Sequence, residues 1–187
     1  LLTGASSGIG RELAVQLSRE NCSLTLLARR FDKLEELFEQ IKNNTSSTEI
    51  YKCDVGNPVE VKNVFDEIIK INGRIDIAIL NAGVGGRFGP KDYQASLSKK
   101  IFNTNVQGIT NLVECLLPDF IERKNGTIVG VTSLADSRGY PGSGFYSASK
   151  IAATRLLESL RIDVKRYNIK VIIVKPGFVK TPMTDKN

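Results

Sequence analysis

Tyr146 and Lys150 stand four residues apart in Tyr146-Ser147-Ala148-Ser149-Lys150. Near the start of a helix, that spacing puts them on one face. A tyrosine, with a pKa of about 10, is a poor base near neutrality. A nearby ammonium stabilises the phenolate and lowers that pKa, which suits the pair to general acid–base work. Read alone, the same residues also fit a helical tyrosine beside a solvated lysine. Ser133 ends the predicted strand 128–133, thirteen residues before Tyr146, with Thr132 as its neighbour and competitor. The chain has no histidine. Ser-His-Asp triads, Cys-His dyads and nearly all zinc chemistry are therefore excluded, and no metal is expected.

A second constellation lies at the N-terminal end, Thr3-Gly4-Ala5-Ser6-Ser7-Gly8-Ile9-Gly10. Glycines let the backbone turn sharply, and the helix that follows offers free N–H groups and a partial positive charge to a pyrophosphate. The spacing is GxxxGxG, not the general GxGxxG fingerprint. In dinucleotide-binding folds an acid about 20 residues past the glycine turn, at the end of the second strand, accepts from the ribose 2′-OH. Here that strand ends Ala28-Arg29-Arg30. Ala28 falls where the acid would sit, and the Arg29 guanidinium suits a 2′-phosphate, so NADP(H) is predicted over NAD(H). Arg30 either assists or faces solvent, and Ser6 and Arg11 are weaker candidates. The competing reading pairs Arg29 with Asp32 and leaves the cofactor open.

These residues need a frame. Short apolar runs at 24–28, 50–53, 75–80, 127–132 and 171–174 read as buried strands, with Leu1-Leu2 as the stub of another. Helical patterns lie between them at 9–20, 33–43, 59–71, 95–123 and 146–166. The alternation predicts an α/β fold, a doubly wound parallel sheet with helices on both faces. Segments 43–47 and 85–90 read as loops. One NADP-binding domain is expected over 1–187. The chain begins without Met and stops soon after the sixth strand, so a longer polypeptide is expected to complete the substrate pocket.

Of the 187 residues, 41% are hydrophobic and 25% charged, ordinary values for a globular protein. No membrane span or secretory signal is read. Cys22, Cys53 and Cys115 are odd in number and widely spaced, which reads as reduced thiols in a cytoplasmic protein. The net charge of +6 raises nucleic acid as a partner. The cations are scattered among acids, however, and suit an anionic cofactor better, so no nucleic acid is expected.

The ordered set of TGASSGIG at 3–10, Asn81-Ala82-Gly83, Tyr146-Ser147-Ala148-Ser149-Lys150 and Pro176-Gly177 resembles the short-chain dehydrogenase/reductase family. The likeness runs from residue 1 to about 184. It implies a Rossmann-like fold of strand order 3-2-1-4-5-6-7, the seventh strand having no counterpart here. It also implies hydride transfer between nicotinamide and a carbonyl or secondary alcohol. Tyr146 is then the acid or base, Ser133 holds the substrate oxygen, and Lys150 also reaches the nicotinamide ribose. Asn105, in Asn105-Val106-Gln107-Gly108, becomes the fourth catalytic residue, where a local kink frees its carbonyl to hold a relay water.

For the cofactor, the resemblance assigns Gly4, Ser6, Ser7, Gly8, Ile9 and Gly10 to the pyrophosphate and ribose side. Asp54 and Val55 go to the adenine edge, Asn81, Ala82 and Gly83 to the adenine ribose, and Pro176, Gly177 and Thr181 to the nicotinamide side. Segments 84–92 and 135–145, with Phe88, Tyr140 and Phe145, are expected to line a moderately hydrophobic substrate pocket. A homodimer or homotetramer through helices 95–123 and 146–166 is expected. A silent nucleotide sensor and an extended-type epimerase or dehydratase are the alternative functions.

Overall fold

The computed structural model describes residues 1–45 and 47–184, with only the backbone of Asp92. Six strands run β1 (Leu2–Thr3), β2 (Ser23–Ala28), β3 (Ser47–Lys52), β4 (Ile77–Leu80), β5 (Gly126–Val131) and β6 (Ile169–Val174). Six helices connect them: α1 (Gly8–Leu17), α2 (Phe31–Ile41), α3 (Pro58–Asn72), α4 (Ala95–Phe102), α5 (Gly108–Arg123) and α6 (Gly144–Val164). Every strand pair is parallel, in the order β3-β2-β1-β4-β5-β6. The order reverses between β1 and β4, so right-handed connections on the two sides of β1 wind over opposite faces. Ligands bind beyond the carboxyl ends of the strands at such a reversal.

The central strands are apolar because the helices cover most of both their faces. Leu26, Leu27, Leu80 and Ile128 are almost fully buried. One apolar cluster joins Leu2, Leu24 and Leu26 to Leu34, Leu37 and Ile41 of α2. The larger one brings Val61 and Ile68 of α3, Leu112, Leu116 and Phe120 of α5, and Ala153 and Leu157 of α6 against the other strands.

Two sequence expectations need correction. Segment 43–47 is not all loop, since Ser47 opens β3 and pairs with Ser23; Ser46 lies outside the described residues. The long helix at 95–123 is broken, with Asn103–Gln107 forming a π-helical segment between α4 and α5. Among the described residues no helix is long and apolar enough to cross a membrane, and Cys22, Cys53 and Cys115 are free thiols.

Candidate active site

A cleft of about 310 Å³ opens beyond the carboxyl ends of the strands, at the β1/β4 reversal. Its floor is the glycine turn. Gly4 has φ +69, and a Cβ there would lie 2.8 Å from the Cα of Ala82. A Cβ on Gly10 would lie 2.4 Å from the Gly4 carbonyl oxygen, so α1 could not start so close to β1 with any side chain at that position. The first-turn N–H groups of a helix have no partner inside it. At α1 the N-cap Ser7 supplies none either, because its side chain makes no capping bond. Its hydroxyl instead accepts from Arg30 Nη2 at 2.6 Å, which also donates to Ser6 Oγ at 3.1 Å.

Arg29 pairs at 3.8 Å with Asp54, not with Asp32, and both side chains remain well exposed. A pair so long and exposed contributes little and leaves the guanidinium available. Arg11 turns away to Gln40. Gly4, Ser6, Ser7, Gly8, Ile9, Gly10, Arg29, Asp54, Val55, Asn81, Ala82, Gly83, Pro176, Gly177 and Thr181 all line this cleft. Asp54 also closes a local turn by accepting from the Gly56 N–H at 3.0 Å. The Asn81 side chain binds the Thr3 carbonyl at 3.0 Å, while its N–H and that of Ala82 both donate to the Thr3 hydroxyl. These bonds fasten the end of β4 to the end of β1.

Ser133, Tyr146 and Lys150 line the same cleft. Ser133 follows β5 and caps a short 3-10 turn, its Oγ accepting from Ala135 N at 3.1 Å. Thr132 is buried, with its hydroxyl turned to the Val174 carbonyl. The Ser133 hydroxyl stands near enough to the Tyr146 phenol to act on its proton. Burial pushes the phenol above its ordinary range, and the Ser133 hydroxyl pulls the other way. This departs from the expectation that Lys150 would lower it. The ammonium donates to the Val131 carbonyl at 3.0 Å and sits 5.8 Å from the Tyr146 ring centre, while desolvation of the ring dominates. Lys150 is 5% exposed, and burial lowers its ammonium to about 8.

Asn105 lies in the π segment, 1% exposed. It accepts from Val84 N–H at 2.8 Å and donates to the Val84 carbonyl and to Ser149 Oγ, both at 2.9 Å. Ser149 in turn donates to the Tyr146 carbonyl at 2.7 Å. A Cβ on Gly83 would lie 3.4 Å from Lys150 Nζ and 3.5 Å from Asn105 Oδ1, so both polar ends converge on that glycine. Asn111 has a different use, donating to the Val55 carbonyl.

Phe88, Tyr140 and Phe145 are not among the residues lining the cleft. Phe88 and Phe145 stack at 4.4 Å with Tyr93 against both, and Tyr140 carries Arg138 over its ring. Val84, Val179, Pro182 and Met183 add apolar side chains to the cleft lining. The last three follow Pro176-Gly177, which was the one signal in the sequence that pointed to them.

The short chain dehydrogenase family model matches residues 1–187. An uncharacterized oxidoreductase of Myxococcus xanthus is 36% identical over 187 residues, covering 100% of this chain and 74% of that protein. A short-chain dehydrogenase/reductase of Burkholderia phymatum, solved with NAD, superposes with a TM-score of 0.93 at 26% identity, over 98% of this chain and 66% of that one. A metagenomic short-chain oxidoreductase solved with NADP gives 0.89 at 27%, over 95% of this chain and 81% of that one. With a parallel sheet of this order, a glycine turn at its reversal and a family match along its whole length, this chain belongs to the short-chain dehydrogenase family.

Proposed function

We propose that this chain carries an NADP-dependent oxidoreductase site that interconverts a carbonyl compound and a secondary alcohol, with Tyr146 as the proton donor or acceptor. The observation that carries the reading is the convergence of Ser133, Tyr146 and Lys150 on one cleft whose floor is the glycine turn.

The residues fit a dinucleotide phosphate. The uncapped first turn of α1 presents N–H groups and the positive end of the helix dipole, and two arginines stand at the rim. Ser6, Ser7, Gly8, Ile9 and Gly10 would hold the pyrophosphate. Asp54 and Val55 would meet the adenine, Asn81, Ala82 and Gly83 its ribose, and Pro176, Gly177 and Thr181 the nicotinamide side. Arg29 and Arg30, with Ala28 in place of an acid, favour a 2′-phosphate. When bound, the nicotinamide supplies or takes up the hydride. Tyr146 gives its phenolic proton to the developing alkoxide in reduction and takes the alcohol's proton in oxidation. Ser133 orients the substrate oxygen toward it. Lys150 would bind the nicotinamide ribose. The Asn105 carbonyl would hold a water that returns the proton from solvent through Lys150.

A homodimer or homotetramer in the cytoplasm, acting on a small carbonyl or alcohol substrate, belongs to the same proposal, as does a single domain over 1–187. The test is absorbance of NADPH with a panel of aldehydes, ketones, 3-oxoacyl thioesters, sugars and steroids. We expect oxidation of NADPH by at least one class, faster than with NADH. Equal or better use of NADH would refute the cofactor assignment, and no turnover with any class would refute the activity.

A further inference from the structure

Below Lys150, on the same face of α6, lies a polar group that the proposed chemistry does not use. Asp136 is 8% exposed, and a single oxygen, Oδ2, accepts from Thr154 Oγ1 at 2.6 Å and from Lys175 Nζ at 2.8 Å. Thr154 itself is 3% exposed. A carboxylate taken out of water is costly unless charge and hydrogen bonds compensate it. Here they do: Lys175 and Thr154 outweigh burial and hold Asp136 below its ordinary range, with Arg155 adding a weaker pull.

The three residues sit on three segments, each carrying part of the cleft. Asp136 closes the 3-10 turn that Ser133 caps, its own N–H donating to the Ser133 carbonyl at 3.1 Å. Thr154 follows Tyr146 and Lys150 at successive four-residue steps on α6, so all three share one helical face. Lys175 directly precedes Pro176-Gly177, and the Pro176 carbonyl accepts from Leu134 N–H at 3.1 Å. An apolar residue would fill such a buried place at least as stably as an ion pair. What the carboxylate adds is direction, because its hydrogen bonds fix the angles among the three segments.

We propose that Asp136 is a positioning residue: through Thr154 and Lys175 it sets the Ser133 hydroxyl against Tyr146 and holds the bend at Pro176 and Gly177. The proposal rests on the reading of Ser133 and Tyr146 given above.

The test is tyrosine-ring 13C NMR of the chain at neutral pH, with the Tyr146 Cζ signal assigned through Tyr146→Phe. Ser133→Ala defines the signal of a Tyr146 that has lost its hydroxyl partner. Asp136→Ala and Lys175→Met should move the signal in that direction by roughly half that displacement or more. Lys175→Arg and Thr154→Ser keep the charge or the hydroxyl and should restore the wild-type position, which a purely space-filling role would not require. Amide exchange at Leu134 and Ala135 should quicken at least about tenfold in Asp136→Ala, with Ile128 and Val129 of β5 unchanged. If Asp136→Ala does not fold, Thr154→Val removes one bond from the same carboxylate and carries the test. An unmoved Tyr146 signal in folded Lys175→Met and Thr154→Val, beside a shifted one in Ser133→Ala, would overturn the proposal alone. A signal unmoved in Ser133→Ala would overturn the active-site reading and the proposal with it.

Discussion

Lys150 Nζ lies 5.8 Å from the centre of the Tyr146 ring while donating to the Val131 carbonyl at 3.0 Å. Burial lowers this ammonium from its ordinary 10.5 to about 8. The folded chain therefore binds fewer protons at this site than the unfolded chain between those two values. Folding gains from Lys150 as pH rises through that window, and the buried charge opposes folding below it. The difference in unfolding free energy, wild type minus Lys150→Met, should rise by roughly 1–2 kcal/mol from pH 7.5 to 9.5. Taking the difference removes the opposite contributions of the buried thiols and phenols. Urea denaturation at both pH values checks this, and a constant difference would contradict it.

Tyr146→Phe removes the phenolic oxygen and little else. Turnover should fall by roughly 10²–10⁴-fold, the usual worth of a positioned proton donor. Affinity for NADPH, read by fluorescence titration, should stay within about twofold. A variant that kept more than about half of wild-type kcat would end the mechanism.

Arg30 grips the two serines of the glycine turn, and Arg29 stands free of Asp32. Replacing either by alanine should lower kcat/KM for NADP(H) by roughly 10–100-fold, the scale of a charge-assisted bond to phosphate. Efficiency with NAD(H) should change little. Steady-state kinetics with both cofactors decides it. An Arg29→Ala variant with undiminished NADP(H) efficiency would return that residue to a surface role.

Asn105→Ala leaves both backbone groups of Val84 and the Ser149 hydroxyl without this partner. Thermal or urea unfolding should show a loss of roughly 2–4 kcal/mol. Asn105→Asp keeps an acceptor for the Val84 N–H but no donor for the Val84 carbonyl, so it should recover only part of that loss. Full stability in either variant would mean that the π segment does not depend on this side chain.

On α6, Ile151, Leu156 and Ile162 are exposed, whereas Ile109, Leu112, Leu116 and Phe120 of α5 all face the core. Of the two helices expected to join copies of the chain, α6 is the one with these exposed apolar side chains. If α6 joins copies of the chain, Ile151→Glu with Ile162→Glu should lower the mass measured by light scattering at micromolar concentration. A monomeric wild-type mass would refute the oligomer outright.

The sequence by itself determined the alternation of strands and helices, because a sheet covered on both faces needs runs such as Ile77–Leu80 and an amphipathic stretch between each pair. It also placed Tyr146 and Lys150 on one helical face, since a four-residue step on a helix is local geometry. The glycine turn was equally readable: close approach at Gly4 and Gly10 demands glycine and shows as glycine. The rest was decided in three dimensions. The π segment at Asn103–Gln107 is accompanied by bonds from Asn105 to Val84 and Ser149, 21 and 44 residues away, which no periodicity within 95–123 encodes. That Arg30 rather than Arg29 reaches the turn serines depends on the path of the chain leaving β2. The direction of the Tyr146 shift depends on how deeply the ring is desolvated, and spacing does not reveal that depth. Asp136, Thr154 and Lys175 looked like three unrelated polar residues. Only the packing of α6 against the ends of β5 and β6 brings Thr154 and Lys175 onto one Asp136 oxygen, where charge and hydrogen bond offset its burial.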